Sequence, residues 1–303
     1  MEQVTLTFDF DAIPRGLLPV FGDTNLDAAS LEDRARVAQR SCAEVLCKYF
    51  SPGRVHVGFK TTCHDIIKIL PGKGGDMPPK EESPERVMVC NVFLDAAEQI
   101  PSHHPFQLKL VQLMTALGDS PKAATASKWG FEPKDPRRRV AFDALHEAVG
   151  DRFEDSPTKD EVLDGPARLE RARRWININS FCANMLACGW PRMGEHASHS
   201  LHDAFCKSPR ITGLRDCYVS AAAQWIIYSG QIIFKAVLAP ADFIVPTELP
   251  LRFDKAEWRG WKEDFRNASI NTEREDEARA LAKRAVSLME SLEENILPVL
   301  ASA

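Results

Sequence analysis

The chain has 303 residues, a formal net charge of −5, 44% hydrophobic and 27% charged side chains. That length suits one large helical domain or two smaller ones, and the apolar share supports a sizeable core. The acidic balance lacks the basic footprint of a nucleic-acid binder, so no nucleic-acid partner is expected.

Met1 to Asp11 is acidic, with neither a basic n-region nor an apolar h-region, so no secretory signal is visible and the sequon Asn267-Ala268-Ser269 means little. Ser30 reads as an N-cap for a helix to about Tyr49 that buries Leu31, Val37 or Ala38, Cys42 and Leu46. Ser51-Pro52-Gly53 ends it. Thr62 to Leu70 fits a short helix or a strand equally well. Pro71 to Glu85, rich in Pro, Gly and charge, is expected as an exposed loop. Ser83-Pro84 starts a helix through Val89, Val92, Phe93 and Ala96. Pro105 suits the N1 position of a helix carrying Leu110, Val111, Met114 and Leu117 and closed by Gly118. Phe131 to Arg138 is a loop leading into Arg137-Arg138-Arg139, a solvated helix start, and 140–149 is a short helix. Asp151 to Gly165 is polar and reads as a mobile connection. It divides N-terminal helices with long loops (1–165) from a denser helical core (166–303), the two expected to pack as one domain.

In that core helices are expected near 166–188, 195–206, 216–238, 254–267 and 272–297. The last is capped by Asn271 and led by Glu273, Glu275, Asp276 and Glu277, which suit the helix dipole. Ala239 to Leu251 is proline-punctuated and extended. No repeat or alternating strand series is present, so the fold class is all-α: a single bundle-like domain around a central buried apolar helix. That helix is Cys217 to Phe234, with no charge between Asp216 and Lys235. Two Gln, two Ser, a Gly and two Tyr argue against a membrane span.

Two segments carry polar stripes although they should be buried. Ser220, Gln224, Tyr228 and Gln231 align on the 217–234 helix. On Trp175 to Cys188, Asn177, Ser180 or Phe181, and Asn184 share a face, with Trp175, Ile178, Cys182 and Met185 on another. A buried amide without a partner costs about 1–3 kcal/mol, so these stripes need each other, water or a ligand. Asn177, Asn184, Gln224 and Tyr228 are therefore the candidate catalytic dipoles, and Trp175, Phe181, Trp225 and Gln231 the candidate substrate-binding groups. Plain core packing and interhelical hydrogen bonding account for the same pattern.

The order WININSFCANMLACG, LHDAFC, SAAAQWIIYSGQIIF, WRGWKEDFRNAS, EARALAKRAVSLME resembles a fungal family catalogued as a domain of unknown function, numbered three-six-three-two. The resemblance runs from about Arg174 to Glu290 and is most specific at Asn177–Phe181, Ala222–Ile226 and Trp258–Lys262. It implies a cytosolic, all-helical fungal protein and tilts toward small-molecule chemistry. It implies no catalytic residue set.

Other motifs are weaker. His196, His199 and His202 at i, i+3, i+6 span about 120° of a helix, Asp203 could orient one of them, and no further ligand is evident. No metal and no cofactor are expected. Asn177-x-x-Ser180-x-x-x-Asn184 matches the spacing of a terpene-cyclase metal motif but lacks its carboxylate, and no aspartate-rich partner precedes it. His64-Asp65 and His146-Glu147 point to different helix faces, and His103-His104 lies at a loop edge. The eight cysteines (42, 47, 63, 90, 182, 188, 206, 217) form no CxxC pair. They read as free thiols of a cytoplasmic protein, with Cys182, Cys188 and Cys217 the candidate nucleophiles.

Two functions follow as expectations. One is an enzyme of specialised (secondary) metabolite biosynthesis, a terpene cyclase-like cyclase, isomerase or lyase acting on a hydrophobic small-molecule substrate, such as a terpenoid intermediate. The other is a non-catalytic helical protein that binds a ligand or a protein.

Overall fold

A computed structural model describes residues 4–8, 28–51, 57–70, 83–120, 143–154, 157, 166–206, 214–238 and 253–301. Among them the chain forms ten α-helices, one 3-10 turn and no strand, so the fold is all-α. It divides into two compact units, Met1–Ile100 with His104–Asp155, and Pro101–His103 with Ser156–Ala303. The expected loop over 71–82, the loop 131–138 with Arg137–Arg139, and the extended stretch 239–251 lie outside the described residues.

The first unit holds α1 (Ala28–Phe50), α2 (Phe59–Ile69), α3 (Pro84–Gln99), α4 (Phe106–Gly118) and α5 (Asp143–Glu154). Helix α3 is its centre and packs against α1, α4 and α5. Ser83 caps it, its Oγ accepting the Arg86 N–H at 3.2 Å, and Pro84 fills the first turn where no N–H is needed. Val87, Met88, Val89, Cys90, Val92, Phe93 and Leu94 are all buried, so α3 is apolar over most of its circumference, the stripe Asn91, Asp95 and Glu98 excepted. Its last carbonyls are satisfied by buried Gln107, whose Nε2 donates to Ala97 and Ile100 at 3.0 and 2.7 Å. Thr62–Leu70 resolves as part of helix α2, and Pro105 is the N-cap of α4 rather than its first residue. Helix α1 begins at Ala28, so Ser30 lies inside it and not at the cap. The polar stretch from Asp151 starts inside α5, which continues to Glu154.

Arg152 of α5 joins α5 to α3. Its Nη1 donates to Glu98 at 2.7 Å and its Nη2 to Asp95 at 2.8 Å, with Asn91 Oδ1 at 3.3 Å. Burial opposes the guanidinium charge, but Glu98 and Asp95 outweigh it and hold the pKa above its ordinary value.

The second unit holds α6 (Pro166–Ala187), a 3-10 turn (Pro191–Met193), α7 (Gly194–Cys206), α8 (Leu214–Leu238), α9 (Lys255–Ile270) and α10 (Asp276–Ala301). Helix α8 is packed by α6, α7, α9 and α10. It is long and apolar enough to cross a membrane, but 67% of its most apolar window is buried, as in the core helix of a globular unit. Gly189, at φ 89°, ends α6 in a Schellman turn. The Trp190 N–H reaches the Met185 carbonyl and the Gly189 N–H that of Leu186, each at 3.1 Å.

Helix α10 is capped from another helix. Asp216, in the first turn of α8, accepts Arg274 Nη1 at 2.8 Å and the Glu275 N–H at 3.0 Å. Asn271 is instead the C-cap of α9, and its Oδ1 accepts the Glu273 N–H at 2.9 Å. Asp254 and Glu257 form a reciprocal capping box at the start of α9. The Trp258–Lys262 motif is structural: Trp258 Nε1 donates to Glu293 at 2.9 Å and Lys262 pairs with the same carboxylate, clamping α9 on α10.

Arg152→Ala leaves Asp95 and Glu98 facing each other without their shared cation. The variant should unfold in urea with a stability lower by about 3 kcal/mol, the scale for removing one member of a buried ion network. A loss well under 1 kcal/mol would mean that the network adds little to the α3–α5 contact.

Candidate functional site

The polar stripes meet where α6 packs on α8, inside the second unit. Trp175 lies against Tyr218 with ring centroids 6.3 Å apart, and Cys217 Sγ donates to the Ala172 carbonyl at 3.4 Å. Further along, Asn179 pairs with Trp225, and Ser180 and Tyr228 meet on Ser102. Residue numbers rise together on both sides, so the two helices run parallel at this interface.

Asn179 is its hub. The side chain is fully buried, and its Oδ1 accepts both Trp225 Nε1–H and Ser200 Oγ–H at 2.7 Å. Its Nδ2 donates to the Trp175 carbonyl one turn back at 2.8 Å. One amide therefore ties α6, α7 and α8. Asn179 belongs to the apolar stripe with Trp175, Ile178, Cys182 and Met185, where a search for polar stripes passes over it. The signal available in the sequence is that placement itself, because an amide within the apolar face is the one that must be desolvated.

The neighbouring carbonyl of Ser102 accepts two hydroxyls, Ser180 Oγ at 2.9 Å and Tyr228 OH at 3.1 Å. Asn184 Nδ2 donates to the Ser180 carbonyl of its own helix at 2.8 Å, an intrahelical bond where an interhelical one is expected. In the terpene-cyclase-like spacing, Ser180 and Asn184 are thus bonded to backbone, and Asn177 is half-buried.

Gln224 stands apart. It is 2% exposed, and its Nε2 has no hydrogen-bond partner among the described residues. It lies one turn before Tyr228 on the same helical stripe. An amide N–H donor sealed from solvent on the central helix is an acceptor-seeking group. Trp225 and Phe181 are fully buried, and the Trp225 N–H is committed to Asn179. Trp175 is buried too, whereas Gln231 is exposed and does not join the interface. Asn179, Ser180, Asn184 and Gln224 carry amides and a hydroxyl, and Tyr228 adds a phenol. Together they offer hydrogen bonds and orientation, and no carboxylate, imidazole or amine for proton transfer.

The histidine turn does not converge. His196 is buried, while His199 and His202 are exposed on the same helix. Glu195 has its carboxyl pushed up by burial, with Arg192 and His199 pulling it down. No group of three or more His, Cys, Asp or Glu among the described residues is placed to hold a metal. All eight cysteines are free. Burial pushes the thiols of Cys42, Cys182 and Cys217 well above the usual range, helped at Cys217 by Glu275 and Asp216.

Two outcomes follow. Asn179→Leu strands the Trp225 and Ser200 donors and should lower the stability measured in urea by about 2–4 kcal/mol. In a Trp225→Phe background it should cost about 1 kcal/mol less, since one stranded donor is gone. Strict additivity would contradict a shared hydrogen bond. A raised thiol pKa means less thiolate, so iodoacetamide at mildly alkaline pH should label exposed Cys206 first. Cys42, Cys182 and Cys217 should label only after denaturation, and their early labelling in peptide mass spectra would refute the packing described.

Neither curated proteins nor solved structures yield a match to this chain. The model of the family described as Protein of unknown function (DUF3632) matches residues 91–265. The match begins inside α3, well before the motif-based span from Arg174, and ends inside α9. Covering more than half of the chain, it shows that this all-helical protein belongs to the DUF3632 family.

Proposed function

We propose that the protein binds a hydrophobic small molecule bearing a carbonyl, ether or hydroxyl oxygen, with Gln224 as the polar anchor. The observation that carries this reading is the buried Gln224 Nε2 with no acceptor among the described residues. A stranded amide donor is destabilising, and its retention favours a group kept for a ligand. Ala221 and Ile227, three residues to either side of Gln224 on the same face of α8, are apolar, which favours a ligand apolar in bulk with one acceptor. A terpenoid in a fungal specialised-metabolite pathway fits that chemistry, a context supported by the family resemblance. The cytosol is the proposed location, supported by eight free thiols and by the burial of α8 within its unit.

The cyclase, isomerase or lyase reading starts from the same residues and adds chemistry to binding. The amide and hydroxyl set around Gln224 favours binding and orientation over proton transfer, so a ligand-binding protein is the reading the geometry supports best.

Camphor, an acceptor-bearing terpenoid, and bornane, the same skeleton without oxygen, separate the donor from the apolar surroundings. Camphor should raise the melting temperature of the wild-type chain more than bornane does. Gln224→Leu should abolish that difference while raising the stability of the free protein by about 1–3 kcal/mol, because a stranded donor is removed. A Gln224→Leu protein that melts several degrees lower, or that keeps the camphor preference, would overturn the assignment.

A further inference from the structure

The segment Val4–Phe8, in the first unit, is held as a peptide ligand would be. Val4 and Leu6 are each 9% exposed, while Thr5 and Thr7 are exposed, the two-residue alternation of an extended chain laid on a surface. Gln99, in the last turn of α3, reads the backbone of a single residue. Its Oε1 accepts the Thr7 N–H at 2.7 Å and its Nε2 donates to the Thr7 carbonyl at 2.7 Å. Those are the two bonds that a residue on a neighbouring strand would make, supplied here by a side chain. The Gln99 amide is itself oriented by the Asp95 carbonyl at 2.9 Å, and its Oε1 also accepts the Thr7 hydroxyl at 3.2 Å. On the α1 side, Cys47 Sγ donates weakly to the Leu6 carbonyl at 3.8 Å.

We infer that this surface of α1 and α3 is a peptide-binding groove that the chain's own Val4–Phe8 occupies in cis. The partner it fits is an extended, uncharged segment of another protein, with apolar side chains at alternate positions. Gln99 recognises backbone, so the polar positions between are free to vary, and the two sites that take Val4 and Leu6 set the specificity. The resident segment is poised to exchange. Two apolar side chains and a few solvent-edge hydrogen bonds must offset the ordering of five residues, a near balance typical of segments that open locally. Tethered through residues 9–27, it competes at an effective concentration on the order of mM, so a free partner peptide binds weakly until the segment is displaced.

The test uses the full chain and a fluorescein-labelled peptide of sequence QVTLTF, followed by fluorescence anisotropy. Leu6→Asp should release the cis segment, and the peptide should then bind at least tenfold more tightly than it binds the wild-type chain. Adding Gln99→Ala to that variant should weaken binding at least tenfold. Thr7→Pro, an exposed change that removes the N–H read by Gln99, provides a second release variant. A folded release variant that does not bind the peptide, equal binding by wild type, or indifference to Gln99→Ala would each overturn the proposal. So would failure of both release variants to fold, since the segment would then be part of the core. A wild-type chain that sediments as a dimer at rising concentration, and as a monomer with Leu6→Asp, would assign the groove to a second copy's segment instead.

Discussion

The second unit depends on a single buried amide. Asn179 accepts the Trp225 indole and the Ser200 hydroxyl at 2.7 Å while donating to its own helix, so α6, α7 and α8 are fixed to one point. In the interior each of those donors would cost about 1–3 kcal/mol if left unmet, which makes any other register of α8 on α6 expensive. The neighbouring contacts follow from that register. Tyr228 and Ser180 reach the same Ser102 carbonyl, Tyr218 lies on Trp175, and Asp216 is brought to the start of α10. A core of Ala, Ile and Val alone would allow α8 to slide, because apolar packing is not directional.

Against that background Gln224 is informative by contrast. The same type of side chain is bonded through both its oxygen and its nitrogen at Asn179 and leaves its nitrogen without an acceptor at Gln224. Stability alone favours leucine at position 224, and it favours asparagine at 179. Function is therefore best sought at the amide that stability does not explain. The aromatic residues around it are a poorer guide, since Phe181 and Trp225 are fully enclosed by the packing.

Helix positions were legible in the sequence wherever period and caps agreed. Ser83-Pro84 before an apolar run marks the start of α3, and Gly118 closes α4. Helix α2 was ambiguous because its eleven residues are too few for apolar spacing to separate helix from strand. Asn271 was misplaced because Asx chemistry serves a turn as readily as a cap, and the group at the α10 start, Asp216, is distant in sequence. The polar stripes were visible, but which members are spent internally was not. Hydrogen-bond partners such as Ser102 and Ser200 lie outside the helices being read, and a helical wheel does not contain them. The sequence shows the Trp258–Lys262 motif only as a point of family resemblance, and its reason, the shared Glu293, emerges from the pairing of α9 with α10.

Selective nitrogen-15 labelling of glutamine side chains gives direct access to the Gln224 amide, its resonance assigned by its loss in Gln224→Leu. The account predicts that in the free protein this amide shows no hydrogen-bonded partner, and that camphor moves its signal downfield saturably while bornane does not. A cross-peak from the free Gln224 amide to long-lived buried water, with no response to camphor, would contradict the account and make Gln224 a hydrated part of the core.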